Sequence, residues 1–260
     1  MISTMLEFRH VSFSRGSRVL LNRLCFSIER QEMVALLGPN GVGKTTMLKL
    51  TSRLLRPSSG SILLEGKPLE NWPRRDVPRR VALVPQELDI PFSFSVEEIV
   101  AQGRAPYLPL FGSSISPDHA AVRDAMAAVD ITSLRHRVYS QLSGGERQRV
   151  KIAIGLAQQA KLMLLDEPTQ HLDIGRQLEL VALLRRLNQG GITIIAAVHD
   201  LRLVAENFSS IILLTPEPSW IAGAAADVLR PDLLERAFSV DRSALARYGL
   251  AISASEPIRP

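Results

Sequence analysis

One stretch constrains this chain more than any other: the run 31–37 with its apolar stretch, then Gly38, Pro39, Asn40, Gly41, Val42, Gly43, Lys44, Thr45 and Thr46. The run has the length of a buried strand. Met47, Leu48, Leu50, Leu54 and Leu55 then continue at helical spacing, in a helix expected to stop before Pro57. Strand, glycine loop and helix are the context that the pattern GxxxxGK[ST] needs for phosphate binding. Glycines let the backbone curl until several N–H groups face one anion, and the helix N-terminus adds a favourable dipole. In that frame Lys44 is expected to reach the β- and γ-phosphates of ATP, and the Thr45 hydroxyl to ligate Mg²⁺.

A second apolar run, 161–165, suits a strand covered on both faces and ends in Asp166 and Glu167. Ligands in open α/β sheets sit at such strand C-termini. Asp166 is expected to hold the Mg²⁺ shell and Glu167 to polarise the attacking water. Between the two runs lies Leu142-Ser143-Gly144-Gly145-Glu146-Arg147-Gln148. It opens a helix whose first turn offers phosphate-binding backbone, yet it stands too far along the chain to serve the same nucleotide easily. Two copies of the chain sandwiching ATP between them would use both segments.

Strand–helix alternation implies an α/β fold with a largely parallel sheet. Residues 1–30 read as strands with a turn at 14–17. Residues 92–160 read as mostly helical. Ser116-Pro117-Asp118 is a good helix start there, and Ala120, Val122, Ala125, Met126 and Val129 form an apolar face. A second helix turns Val150, Ile152, Ala153, Leu156 and Ala157 inward. After Asp173 a third carries Leu178, Val181, Leu184 and Leu187. Strands at 192–198 and 211–214 complete the core, and the signal weakens from Pro216 onward.

With 260 residues and 46% hydrophobic content the chain can bury one sizeable core. No apolar run approaches the ~18 residues of a membrane span, and no signal-peptide pattern opens the chain, so it is not expected to be a pore. Cys25, the single cysteine, has no intrachain partner and is expected to be a small half-buried hydrophobe. The net charge of +5 comes with scattered or paired arginines and no nucleic-acid motif. It suits mild attraction to an anionic membrane leaflet.

These motifs together resemble the ATP-binding subunits of ABC transporters. Gly38–Thr45 is similar to that family's Walker A motif, 142–146 to its signature, and 162–167 to Walker B. Gln86, Asp173 and His199 fall where the family places its Q-loop, D-loop and switch histidine. The resemblance covers about residues 4–235. It implies a P-loop NTPase core with a mainly parallel sheet, an N-terminal antiparallel β subdomain and an inserted helical subdomain. The single domain would divide into a nucleotide-binding core with the β subdomain (1–90 and 160–215), a helical subdomain (91–159) and a C-terminal segment (216–260). It also implies that Glu167, His199 and Gln86 are catalytic, that Thr45, Gln86 and Asp166 hold Mg²⁺, and that Asp173 belongs to the nucleotide site. Ser143, Gly144 and Gly145 would contact the γ-phosphate of ATP held by a second copy of the chain. The implied partners are that copy, integral-membrane permease subunits and, indirectly, a substrate-binding protein, but no nucleic acid. The implied location is peripheral, on the cytoplasmic face of the inner membrane.

Two positions depart from the family's habit. Glu146 stands where glutamine is usual; glutamate is a frequent variant there, so little functional loss is expected beyond a slight weakening of ATP binding by its charge. Arg15 stands near the usual adenine-stacking tyrosine. Its guanidinium either stacks on the base or is solvated. A looser likeness, over 94–100 and 103–108, is to importers of iron–siderophore, haem or cobalamin. It makes Phe92, Phe94, Tyr107, Leu108 and Leu110 candidates for a groove that receives the permease. The alternative is a soluble ABC ATPase of iron–sulfur cluster assembly.

Overall fold

The computed structural model describes residues 4–90, 92–108 and 119–247. Its centre is a six-stranded sheet in the order β10-β9-β3-β8-β7-β6, comprising β3 (Met33–Leu37), β6 (Val81–Val84), β7 (Leu162–Asp166), β8 (Thr193–Ala197), β9 (Ser210–Leu214) and β10 (Trp220–Ala224). Every pairing from β9 to β6 is parallel, and β10 closes one edge antiparallel to β9. The central strands β3, β7 and β8 are apolar except at Thr193, which opens β8, and Asp166, which closes β7, because both faces are covered. Met33, Ala35, Leu37, Met163 and Leu165 enter one core, whereas Val34, Leu36, Leu162 and Leu164 enter the other.

The second core is shared with a four-stranded antiparallel sheet, order β2-β1-β4-β5, formed by β1 (Thr4–Arg15), β2 (Arg18–Glu29), β4 (Ser59–Leu64) and β5 (Lys67–Pro68). β1 and β2 form a hairpin with Arg15 paired opposite Arg18. Met5, Phe8, Leu21 and Ile28 pack from this hairpin with α1 (Lys44–Thr51) against the large sheet. Cys25 lies on β2 and is exposed, not half-buried, because Leu24 and Ile28 are the positions that turn inward.

The first core takes the remaining helices. α2 (Val96–Ala101), α3 (His119–Ala128) and α4 (Gly144–Ala157) form one group, with α4 also packed on β6; α5 (Ile174–Gln189) packs on β8, and α6 (Leu201–Asn207) follows that strand. Capping residues set their starts. Ser95 with Glu98 and Ser143 with Glu146 form reciprocal capping boxes, while Asp173 and Asp200 cap α5 and α6. The helix at 44 ends at Thr51, earlier than expected, leaving Leu54 exposed. Two expected helix faces are buried at Val122, Ala125, Met126 and Val129 and at Val181, Leu184 and Leu187, with one residue of each misplaced. Ala121 rather than Ala120 is buried on α3, and Leu178 is exposed while Leu180 and Leu183 are buried on α5. The Ser116-Pro117-Asp118 start lies outside the described residues.

The segment after Pro216 has more structure than its sequence suggested. β10 pairs along all of β9, and Trp220 packs on Phe26. α7 (Ala225–Val228), α8 (Pro231–Phe238) and α9 (Arg242–Arg247) follow, with Val228, Leu234, Ala237 and Leu245 in the first core. No helix among the described residues is long and apolar enough to cross a membrane.

The stretch after α2 is fastened to the end of α4. The Arg104 guanidinium donates to the Ala157 carbonyl at 2.7 Å and lies 3.9 Å from the Tyr107 ring centroid; the Tyr107 hydroxyl donates to the Gln158 carbonyl at 3.0 Å. Gly103 permits this approach, since a methyl group there would collide with the Ile154 carbonyl oxygen and with Ala157. Gly103→Ala is therefore expected to destabilise the chain by about 1–3 kcal/mol. Gly175→Ala, at an exposed position of α5 with room for a methyl, is expected to be neutral or to stabilise by up to about 1 kcal/mol. Urea unfolding of both variants checks the contrast.

Candidate functional site

Parallel pairing brings four strand C-termini side by side in the order β3, β8, β7, β6. The residues that leave these ends are Gly38–Lys44, His199, Asp166 with Glu167, and Gln86. Motifs scattered over more than a hundred residues of sequence thus meet at one edge, as the parallel order requires.

The loop after β3 is shaped by glycines. Gly38 and Gly43 have φ of 142° and 118°, and a side chain at Gly38 would strike the Leu214 carbonyl. Gly43 is also the N-cap of α1 and offers no side-chain acceptor, so the first N–H groups of that helix face outward unclaimed by a cap. Lys44 is 4% exposed, and its Nζ donates to the Gly38 and Pro39 carbonyls at 2.8 and 3.1 Å. Burial lowers its pKa, opposed by the carboxylates of Glu167 and Asp166. The Thr45 hydroxyl donates to Asp166 Oδ1 at 3.0 Å. Burial raises the pKa of Asp166; the Thr45 bond works the other way.

Glu167 stands just past β7 with φ of 49°, a left-handed backbone uncommon for a non-glycine residue. Its carboxylate is bracketed. His199 Nε2 lies 2.5 Å from Oε1, and Gln86 Nε2 donates to Oε2 at 3.2 Å. Gln86 Nε2 also reaches Gln170 Oε1, and the Gln86 main-chain carbonyl accepts from Lys151 Nζ of α4 at 2.6 Å.

A cleft of about 310 Å³ opens beside this group, lined by Arg15, Arg18, Leu20, Gly41, Gly43, Lys44, Thr45, Thr46 and Glu167. Arg18 was not expected. The signal for it is the hairpin itself, which pairs Arg18 with Arg15 and sends both to the cleft. Pro39, Asn40 and Val42 line a neighbouring recess with Arg18 and Pro216. Gln170 and Lys151 were also missed, because neither carries a signal in its local sequence. Thr45 and Asp166 offer hard oxygen donors in direct contact at 3.0 Å, whereas the Gln86 amide is engaged by Glu167 and Gln170. Those two donors fit Mg²⁺, which takes one or two protein ligands and completes its shell with water and phosphate.

Ser143 and Gly145 line a different cleft, with Arg149, Leu172, Arg176 and Glu179, and are absent from the lining of the Lys44 cleft. Asp173 is outside that lining too; it caps α5 through Arg176 N at 2.9 Å. Glu146 is occupied locally. Its carboxylate accepts from Ser143 N at 2.7 Å, a bond that holds its pKa down, and it lies 3.6 Å from Arg137. Its charge completes a helix cap. The expected groove is assembled only in part. Phe92 and Leu108 are 70% and 44% exposed, and Phe92 meets Phe94 edge-on, but Tyr107 is turned inward onto Arg104 and Gln158. Leu110 lies outside the described residues.

Residues 21–170 match the family described as ABC transporter. The chain is 37% identical over 91% of its length to the iron(3+)-hydroxamate import ATP-binding protein FhuC of Bacillus subtilis, covering 88% of that protein. It is 40% identical over 90% of its length to the hemin import ATP-binding protein HmuV of Rhodopseudomonas palustris, again covering 88%. Among solved structures, a metal-chelate type ABC transporter in an inward-facing conformation superposes with a TM-score of 0.82 at 29% identity, over 92% of this chain and 90% of that one.

The buried Asp166 carboxylate generates a stability prediction. A carboxyl group whose pKa is raised on folding loses its contribution to stability as pH rises through the folded value, so its ionised form is a burden at neutral pH. Asp166→Asn keeps an acceptor for Thr45 and removes that charge. The nucleotide-free variant is expected to melt higher at pH 7, by about 2–4 °C for each kcal/mol relieved, while losing Mg²⁺-dependent hydrolysis. Calorimetry and a phosphate-release assay check the two halves.

Proposed function

The chain belongs to the ABC transporter family, and on that premise we propose that it is the nucleotide-binding subunit of an importer for a metal chelate of the iron–siderophore, haem or cobalamin kind. As an ATP-binding subunit of this family it binds nucleotide and is an ATPase. The likeness to FhuC and HmuV over nine tenths of the chain favours import over iron–sulfur cluster assembly.

For hydrolysis, the carrying observation is the Glu167 carboxylate held between Gln86 and His199 beside the Lys44 cleft. On this reading the 38–46 loop and the α1 N-terminus receive the phosphates. Lys44 exchanges two neutral carbonyl partners for phosphate oxygens, a stronger charge-assisted contact. Thr45, Asp166 and Gln86 would hold Mg²⁺, which would supply charge neutralisation for the phosphates. Glu167 orients a water in line with the γ-phosphorus and takes its proton; the water's oxygen forms the new P–O bond and ADP leaves with the electrons of the old one. His199 fixes one carboxylate oxygen and, on this reading, contacts the γ-phosphate. Arg15 and Arg18 flank the base end of the cleft, where a guanidinium plane can stack.

Ser143, Gly144 and Gly145 act on the ATP of a second copy. The support is that Ser143 and Gly145 line a cleft apart from Lys44 within one chain. A membrane permease receives the movement, at the inner face, through the segment after Gln86. The exposed pair Phe92 and Phe94, with Leu108, is the apolar surface that supports this.

Two measurements test the reading. Glu167→Gln keeps size and removes charge, so hydrolysis is expected to fall about 10²–10⁴-fold with Mg·ATP binding retained and dimers trapped; near wild-type hydrolysis would refute the assignment. With permease and binding protein reconstituted, Phe92→Asp is expected to abolish chelate uptake and leave basal ATPase of the isolated chain within about twofold. Normal uptake by that variant would move the docking surface elsewhere.

A further inference from the structure

The Gln86 segment leaves β6 and crosses residues 85–90 with neither helix nor strand to fix it. One side chain from outside the segment grips its main chain at the point that matters. Lys151 Nζ donates to the Gln86 carbonyl at 2.6 Å, a charge-assisted bond between α4 and the loop. Lys151 is half-buried beneath a cleft of about 420 Å³ that Gln86, Gly144, Gln148, Glu167 and Gln170 also line. From the same residue whose carbonyl Lys151 holds, the side-chain amide reaches Glu167 Oε2 and Gln170 Oε1. A chain of contacts therefore runs from α4, through one residue's main chain and side chain, to the carboxylate at the end of β7.

We propose that Lys151 is a positioning residue for hydrolysis: by holding the Gln86 carbonyl it sets where the Gln86 amide meets Glu167, and so links the helix that begins at Ser143 to the reacting end of the nucleotide. The inference rests on the roles of Gln86 and Glu167 proposed above. Lys151 is not among the residues that line the Lys44 cleft, so its effect belongs in kcat and passes through Gln86. A lysine that only packed α4 against the core would act on stability, and would do so whatever residue stood at 86.

The test is a double-mutant cycle on the purified full-length chain, read as kcat and KM for Mg·ATP together with the melting temperature. Lys151→Met preserves the aliphatic stem and removes the donor. Its kcat is expected to fall about tenfold with KM nearly unchanged, and Lys151→Arg, which restores a charged donor, to recover most of the loss. In a Gln86→Ala background Lys151→Met is expected to cost nothing further. Lys151→Gln, polar but too short to reach, is measured in parallel and is expected to match Met, so that a folding defect in one variant does not decide the outcome. Unchanged kcat in both Met and Gln variants overturns the proposal, and so does an equal loss with and without Gln86. If Gln86→Ala alone hydrolyses at the wild-type rate, the role given to Gln86 fails and this inference falls with it. A loss in Gln86→Ala with none at Lys151 overturns this inference alone.

Discussion

The parallel pairing of β3, β8, β7 and β6 is the constraint on which the rest depends. Parallel strands share a direction, so their C-terminal ends lie along one edge, and whatever side chains leave those ends become neighbours. Lys44, His199, Glu167 and Gln86 are 155 positions apart at their extremes, from 44 to 199, yet they converge because each follows a different strand of the same sheet. The pairing in turn depends on burial of both faces. Alternate residues of β3 and β7 feed two separate cores, one under the antiparallel sheet and one under the helices. Removing either layer would expose a full apolar face of the central sheet.

Glu167 shows how the edge is tuned locally. Its φ of 49° takes the chain out of the strand within one residue of Asp166. Two adjacent carboxylates can then part: Asp166 stays 7% exposed against Thr45, and Glu167 turns between His199 and Gln86. An extended residue at 167 would continue the strand's alternation and lose that bracket. The strain is of order 1–3 kcal/mol in such positions and is localised where two side-chain partners hold the carboxylate in place.

Much of this was legible in the sequence, and what was not has physical reasons. Glycine loops and apolar runs announce β3, β7 and their terminal residues because strand and loop chemistry are local. The segment after Pro216 gave a weak signal because β10 is a half-exposed edge strand, and α7 to α9 are short and owe their stability to packing on the first core. Tyr107 reads as a surface aromatic in sequence; only the contact of Gly103 with α4 shows that it folds back onto Arg104 and Gln158. Glu146 reads as an extra charge near a phosphate site, yet at the third position of α4 a glutamate satisfies the N–H of its own cap. Arg18 joins the site through hairpin pairing, Gln170 from the turn after β7 and Lys151 through the orientation of α4.

α4 concentrates the consequences. Its cap is built by Ser143 and Glu146, and Lys151 follows eight residues after Ser143, about 12 Å along a rigid helix axis. A helix of fourteen residues moves as a unit, so a shift of its first turn carries Lys151 with it. Lys151 in turn holds the residue whose amide touches Glu167. On the proposed roles, the turn that meets a second nucleotide and the loop that meets the permease are thus fastened to one rod, and the carboxylate between them is adjusted through a single glutamine. Arg104 and Tyr107 lock the other end of the same rod to the segment that follows α2. On these roles Ser143 and Glu167 share one mechanical element, and a movement of α4 that shifts its first turn also shifts the glutamine that meets Glu167.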